Sequence, residues 1–151
     1  MSRAGVWAAT LGPVGWWPAG PGTLASALTV AAWWWATPSR AVTLAAAALI
    51  ALAGVLAAGE ADRALGPDDG RIVIDEVAGM ALALAGVPPT AVGAVVAFVL
   101  FRLLDIAKPP PVSWCERARG GAGVMLDDVV AGALAALVAA AAFALWPVLA
   151  D

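Results

Sequence analysis

Long uncharged stretches dominate this sequence, and its charged side chains are confined to a few short segments. No charge occurs between Arg3 and Arg40, and residues 41–59, 77–101 and 129–150 are also uncharged. Stretches of this length are typical of helices that cross the roughly 30 Å hydrocarbon core of a bilayer. Hydrophobic residues make up 63% of the chain and charged residues 13%, against about 45–50% and about 25% in soluble domains. The sequence therefore predicts a single integral membrane domain over residues 1–151.

Proline positions divide the uncharged stretches into helices. Pro38 ends a helix that begins at Thr23, and Pro88-Pro89 separates the two helices of a hairpin. At 1.5 Å per residue the hairpin helices are about 24–25 Å long, which is short for a full span. The expected fold class is all-α, a compact helical membrane bundle of about five helices. The predicted helices cover residues 23–37, 41–59, 72–87, 90–106 and 129–150.

Five passages would bring the polar segments to one side of the membrane, namely the residues before Thr23, the loop 60–76 and the segment 102–128. Seven basic residues fall on this side and one, Arg40, falls on the other. Because cytoplasmic loops carry an excess of Lys and Arg, the polar face is predicted to lie in the cytoplasm. The seven residues are Arg3, Arg63, Arg71, Arg102, Lys108, Arg117 and Arg119.

The residue types that are missing restrict the possible chemistry. Histidine is absent and Cys115 is the only cysteine, which excludes imidazole-based zinc sites, Ser-His-Asp triads and intrachain disulfides. A general base must therefore be a carboxylate, and a metal ion must accept oxygen ligands, as Mg²⁺ and Mn²⁺ do. The net charge of −3 and the lack of a basic stripe give no indication of a nucleic-acid partner.

Acidic residues occur in pairs where polar segments meet apolar ones. Asp75-Glu76 opens the third predicted helix, Asp127-Asp128 opens the fifth, and Asp105 lies near the end of the fourth. Acids at helix starts are ordinary, because they offset the helix dipole by about 0.3–1 kcal/mol. Capping does not explain why both pairs enter the membrane from one side. Close carboxylates repel one another unless a cation lies among them, so these acids predict a divalent-cation site.

Four features are candidates for contacting a phosphate, and each has a simpler explanation that stays open. Arg102 is three residues before Asp105, which suits a local ion pair, and its guanidinium also matches phosphate geometry. Lys108 either extends to the lipid headgroups or binds phosphate. The segment 120–123 is a flexible turn or a phosphate-binding loop. Thr23 caps its helix or takes part in an anion site.

Three sequence blocks resemble the bacterial phosphatidylglycerophosphatase A family. They are PGTLAS, IDEVAGM, and FRLLDIAKPPPV followed by GGAGVMLDDVVAG, and they extend from about residue 21 to 133. Ala25 departs from the glycine usual in the family, and Leu104 departs from phenylalanine. The matching residues are Gly22, Thr23, Ser26, Asp75, Glu76, Gly79, Arg102, Asp105, Lys108, Pro109, Gly121, Gly123, Met125, Asp127, Asp128 and Gly132.

The resemblance implies a helical, Mg²⁺-dependent enzyme of the bacterial inner membrane that converts phosphatidylglycerophosphate to phosphatidylglycerol. Our hypothesis assigns Asp105 to orienting water as base or to completing the metal shell. The predicted metal ligands are Asp75, Glu76, Asp127 and Asp128. The predicted substrate-binding residues are Arg102, Lys108, Thr23, Gly121 and Gly123. The predicted catalytic residues are Asp105, Asp127, Asp128 and Lys108.

Two alternatives remain open at this point. The first is a phospholipid headgroup transferase that uses a CDP-alcohol, although the D-x₂-D-G-x₂-A-R spacing expected of it is missing and residues 68–71 match it only superficially. The second is a non-catalytic membrane protein that binds or transports cations. Its acids should be distributed through the depth of the membrane, whereas the acids here are predicted to gather at one face.

Overall fold

The computed structural model describes residues 2–67, 69–115, 118 and 120–146, and every regular element within these ranges is helical. The predicted all-α helical bundle is therefore confirmed. Three short helices that the sequence pattern does not predict precede or interrupt the long ones. In order, the elements are α1 (Arg3–Ala9), a 3-10 helix (Val14–Trp16), α2 (Pro21–Ala36), α3 (Arg40–Leu65), α4 (Ile74–Leu84), α5 (Ala91–Ala107), α6 (Val112–Cys115) and α7 (Gly120–Leu145).

Helix starts lie within two residues of the prediction where proline or a capping hydroxyl marks them. Pro21 occupies the first turn of α2, where its fixed φ is favourable, so the helix begins two residues before the predicted Thr23. The Thr90 hydroxyl accepts a hydrogen bond from the Gly93 N–H at 3.1 Å, and α5 lies within one residue of the predicted range. By contrast, α3 continues to Leu65, through charged residues that were predicted to form a loop.

The start of the last long helix differs from the prediction. Residues 120–123, predicted as a loop, form the first turn of α7, so Asp127 and Asp128 lie about two turns inside the helix. Glycine costs about 1 kcal/mol in a helix, but here it permits a close contact. A Cβ added to Gly121 would lie 2.6 Å from the Gly59 nitrogen of α3. Tertiary packing therefore decides the local structure, and capping does not explain these two acids.

Helices α3 and α7 are antiparallel. Gly121 contacts Gly59, and further along each helix a Cβ on Gly54 would lie 2.6 Å from Met125 Cε. The end of α3 therefore lies beside the start of α7. Small residues at such contacts let two helix backbones approach closely, as is common between membrane helices.

Helices α4 and α7 are parallel. A Cβ on Gly132 would lie 2.8 Å from Gly79 Cα, and a Cβ on Gly86 would lie 2.5 Å from Ala136 Cα. The start of α4 thus lies beside the first turns of α7, at the same end of the bundle as the end of α3. This packing brings the two acidic pairs of the sequence to one end of the protein.

Helices α3 and α7 are long and apolar enough to cross a membrane. Each has 26 residues, with a mean hydropathy of 2.4 and 2.2 in its most apolar stretch, and only 22% and 28% of those stretches is buried within the protein. Exposed leucines such as Leu49, Leu56 and Leu137 cover their outer faces. Helices α2 and α5 have 16 and 17 residues, so they extend about 24–26 Å and fall short of a full hydrocarbon span.

Candidate active site

Three carboxylates converge at the charged end of the bundle. Asp75 and Glu76 lie in the first turn of α4, where the helix dipole favours negative charge, and Asp128 projects from α7. Their spacing follows from the close packing of these helices, because a Cβ on Gly79 would lie 2.5 Å from the Asp128 carbonyl oxygen. One carboxylate oxygen from each of the three residues lies within 4.8 Å of the others.

Each of these three acids has an oxygen that is buried and unsatisfied. Asp75 Oδ1, Glu76 Oε2 and Asp128 Oδ2 have no hydrogen-bond partner among the described residues, and Asp128 is only 3% exposed. Buried charges without partners are costly, and three like charges this close repel one another. A hard divalent cation takes carboxylate oxygens as ligands and would remove both penalties. The donor set therefore fits Mg²⁺.

Arg102 of α5 lies beside these acids. Its Nη1 donates a hydrogen bond to Asp105 Oδ2 at 2.5 Å, which confirms the ion pair that the spacing indicates, and it lies 4.0 Å from Glu76 Oε1. Its Nε is buried and has no partner among the described residues. Because guanidinium N–H groups bind phosphate oxygens in pairs, this donor is suited to an anion bound next to the carboxylates.

Lys108 and Asp127 form a second charged pair across 19 residues of sequence. Lys108 Nζ donates to Asp127 Oδ2 at 2.7 Å, and Asp127 Oδ1 accepts from the Asp128 N–H at 3.1 Å. Of the four predicted metal ligands, three therefore form the cluster and Asp127 contacts Lys108 instead. Lys108 ends α5 in the left-handed region, with φ of 44°, which turns the chain toward α7.

The three-carboxylate cluster and the Lys108–Asp127 pair line one cavity of about 840 Å³, whereas Arg102 is not among its lining residues. This volume is typical of small-ligand sites. The acids gather at one end of the bundle, so among the described residues they do not form a path through its depth. This arrangement does not favour the cation-transport alternative. The ionisable lining residues are Asp62, Asp69, Asp75, Glu76, Asp105, Lys108, Asp127 and Asp128.

The remaining predicted substrate-binding residues occupy different positions. Gly123 lines the cavity, whereas Gly121 packs against the main chain of α3. Thr23 is exposed in the first turn of α2 and is not among the residues that line the cavity. Its neighbour Gly22 is buried, and a Cβ there would overlap the Glu76 carboxylate.

The sequence analysis missed Asp62 and Asp69 as residues of this cavity. Asp69 accepts hydrogen bonds from Arg71 Nε at 2.7 Å and from the Arg71 backbone N–H at 3.0 Å, and these bonds with Arg71 lower the pKa of Asp69. The Arg71 guanidinium lies 4.5 Å from the centre of the Trp16 ring. The position of the polar loop between two acid-bearing segments could have indicated that it faces the site.

Some charged residues of the predicted polar face fall outside the described parts of the chain. These are Asp68, Glu116, Arg117 and Arg119.

Comparison with known proteins gives consistent matches. The family profile described as phosphatidylglycerophosphatase A matches residues 7–143. A protein of Bacteroides thetaiotaomicron, provisionally named a phosphatidylinositol-3-phosphatase, is 38% identical over 124 residues, which cover 76% of this chain and 78% of that protein. Phosphatidylglycerophosphatase A of Escherichia coli is 37% identical over 124 residues, or 79% of this chain and 72% of that protein. The Haemophilus influenzae protein of the same name is 41% identical over 73 residues, or 47% and 45%. No solved structure gives a significant match.

Proposed function

Since the chain belongs to the phosphatidylglycerophosphatase A family, we propose that it hydrolyses the terminal phosphomonoester of phosphatidylglycerophosphate in a Mg²⁺-dependent reaction. Water attacks phosphorus, the ester P–O bond breaks, and the products are phosphatidylglycerol and inorganic phosphate. One observation carries the proposal. Three carboxylates, each with a buried oxygen that has no hydrogen-bond partner among the described residues, lie beside Arg102, whose buried Nε also has none.

Asp75, Glu76 and Asp128 would hold the Mg²⁺ ion. When bound, the ion stabilises negative charge on the phosphoryl oxygens and helps to position the reactants. Asp127 contacts Lys108 in this structure, so we assign it to fixing that ammonium group. This assignment separates the roles of two adjacent acids, Asp127 and Asp128, that the sequence pattern treats alike.

Arg102 and Lys108 would neutralise the charge of the phosphate. The Asp105 carboxylate holds one end of the Arg102 guanidinium, which leaves Nε available for a phosphate oxygen. Asp105 also lines the cavity, and we assign it to orienting the attacking water. Preorganised positive charge of this kind usually gives the largest part of the acceleration in phosphoryl transfer.

We further propose that the protein lies in the bacterial cytoplasmic membrane with this cavity facing the cytoplasm. Arg63, Arg71, Arg102 and Lys108 lie at the charged end of the bundle, whereas Arg40 begins α3 at the other end. The positive-inside rule supports this orientation. Reaction of a membrane-impermeant thiol reagent with Cys115 in intact cells, compared with permeabilised cells, tests it, and labelling from the outside would reverse it.

The relatives' names agree on a phosphorylated phospholipid but differ on its headgroup alcohol. Purified protein in detergent should therefore be given phosphatidylglycerophosphate and phosphatidylinositol 3-phosphate separately, and released phosphate should be measured. We expect faster release from the first substrate, loss of activity with a chelator, and recovery when Mg²⁺ is added.

A matched pair of variants tests the site. Asp128→Asn removes a charge from the cluster, whereas Glu60→Gln removes one from a carboxylate that accepts a hydrogen bond from the Ser2 hydroxyl at 2.6 Å, away from the cavity. We expect Asp128→Asn to lose phosphate release and Glu60→Gln to retain it. Release that persists in Asp128→Asn and in the presence of a chelator would refute the proposed metal site.

A further inference from the structure

A second cavity of about 510 Å³ lies on the other side of α4, between α2, α3 and α4. Its lining residues recur on one face of each helix, for example Val77, Ala81 and Leu84 on α4. On α3 the lining extends from Val42 to Ile50, which corresponds to about 12 Å of helix. The cavity is therefore an elongated groove parallel to the helix axes, and we call it the α2–α4 groove.

The α2–α4 groove offers almost no polar contact. Apart from the indole nitrogen of Trp33, its only polar side chains are two threonines. The Thr29 hydroxyl donates to the Ala25 carbonyl at 2.8 Å. The Thr43 hydroxyl donates to the Ser39 carbonyl at 3.1 Å and accepts from Trp33 Nε1 at 3.3 Å. All three polar groups are thus satisfied within the protein, so the groove favours a purely hydrocarbon ligand.

One end of the groove lies close to the 840 Å³ cavity lined by the carboxylates, which we call the acidic cavity. Val77 lines the groove and follows Glu76, which lines the acidic cavity. Leu11 lines the same end, near the point where the Val73 N–H donates to the Ala9 carbonyl at 2.9 Å. The other end lies at Ala36 and Pro38, between α2 and α3. A molecule bound at the acids could therefore extend along the groove toward the far side of the bundle.

The α2–α4 groove is accessible from the side of the bundle, and its volume of about 510 Å³ is in the range of small-ligand sites. The exposed rims formed by Leu28 and Val42 leave the groove open to the side, where a lipid chain can enter from the bilayer.

We propose that the α2–α4 groove binds one acyl chain of the lipid substrate while its phosphate lies at the acidic cavity. This inference rests on the proposed function, since it assigns the apolar part of the same substrate. It also gives the enzyme a means to select a lipid over water-soluble phosphomonoesters that carry the same headgroup.

Filling the groove tests the proposal. Ala46→Phe places a ring in the groove from α3, and Ala32→Phe does so from the exposed wall of α2. Ala45→Phe is the matched control, because Ala45 is exposed on α3 and does not line the groove. We expect the first two variants to raise KM for long-chain phosphatidylglycerophosphate, expressed as mole fraction in the micelle, by about fivefold with little change in kcat. Kinetics with the deacylated, water-soluble headgroup should not change.

Lipid retention gives a second measurement that does not require activity. Native mass spectra after detergent exchange should show one dioleoyl phosphatidylglycerol molecule bound to the unmodified protein and to Ala45→Phe. Ala46→Phe and Ala32→Phe should lose it. If Ala46→Phe does not fold, Ala32→Phe still makes the test, because residue 32 is exposed.

The two proposals fail in different ways. If both groove variants match Ala45→Phe in KM and in retained lipid, the acyl-chain site is wrong and the phosphatase assignment stands. If no protein, including the unmodified one, releases phosphate, the proposed function is wrong. The retention pattern then decides the groove by itself, with equal retention in all variants counting against it.

Discussion

Adding a single methyl group at Gly22 should reduce the catalytic rate while leaving the stability of the fold nearly unchanged. Gly22 lies in the first turn of α2, against the Glu76 side chain. In Gly22→Ala the new Cβ would lie 2.7 Å from Glu76 Cδ, where ordinary contact begins at 3.4 Å, and it would overlap the carboxylate oxygen Oε1. The nearest obstructing atoms belong to the end of a flexible side chain, so Glu76 can move away without displacing a helix.

The expected effect on stability is small. Replacing a helical glycine by alanine favours folding by up to about 1 kcal/mol, which offsets much of the cost of moving one side chain. The expected effect on catalysis is large. Glu76 must retreat by about 1 Å from its place in the acidic cluster, and a misplacement of about 1 Å can reduce the rate on the order of 10²-fold.

The assay compares thermal unfolding in detergent with phosphate release from phosphatidylglycerophosphate. We expect Gly22→Ala to unfold within a few degrees of the unmodified protein, while kcat/KM falls on the order of 10²-fold and more Mg²⁺ is needed for half-maximal activity. A second change, Glu76→Asp, shortens the displaced side chain by one methylene. In the Gly22→Ala background it should cost much less activity than it costs alone, because it relieves the overlap.

Three results would refute this reasoning. Full activity in Gly22→Ala would mean that the Glu76 carboxylate does not take part. A large loss of stability would mean that the contact is structural. Strictly multiplicative losses in the double variant would mean that the two residues do not act through each other.

Further changes test the helix contacts, the phosphate contact and the polar loop. Gly132→Ala should lower the unfolding free energy by about 1–3 kcal/mol, because its Cβ would meet the main chain of Gly79. The thermal unfolding midpoint measures this loss, and Gly70→Ala is the control, since a Cβ at Gly70 has open space around it. Equal midpoints for the two variants would contradict the prediction. Arg102→Lys keeps the charge but loses the Nε donor, so kcat/KM should fall about 10²-fold; an unchanged value would exclude a phosphate contact through Nε. The pKa of Asp69 is lowered by its hydrogen bonds with Arg71, so the stability that this contact contributes is present above the ordinary Asp pKa and is lost as pH falls through the lowered value. The protection factors of the loop amides, which correct for the intrinsic pH dependence of exchange, should then decrease at acid pH, and Asp69→Asn should abolish that decrease.

The distribution of charge predicted the helical membrane bundle, because long uncharged stretches leave the chain few other ways to satisfy its backbone. The residues of the cluster were predicted from sequence motifs, but the spacing of these motifs along the chain does not determine that their side chains meet. Their convergence depends on the directions of α4 and α7, which are set by the contact of Gly79 with Gly132.

Two details could not be predicted from sequence because both depend on tertiary contacts. A run of glycines normally disfavours a helix, yet residues 120–123 form the first turn of α7, where Gly121 packs against the main chain of α3. The contact of Asp127 with Lys108 spans 19 residues, and a choice between two adjacent acids requires knowing which face of α7 meets α5. Asp69 was overlooked because its loop carries no periodic pattern.

The glycine contact between α4 and α7 affects how the protein responds to changes in bilayer thickness. Gly79 follows Asp75 by one helical turn and Gly132 follows Asp128 by one turn, so two main chains touch directly beneath the carboxylates. Bilayers of different thickness make helices tilt or bend, but main chains already in contact cannot approach further. Changes in lipid composition should therefore displace the far ends of the helices and leave the spacing of the acids unaltered, so that hydrolysis can continue while the surrounding bilayer is remodelled.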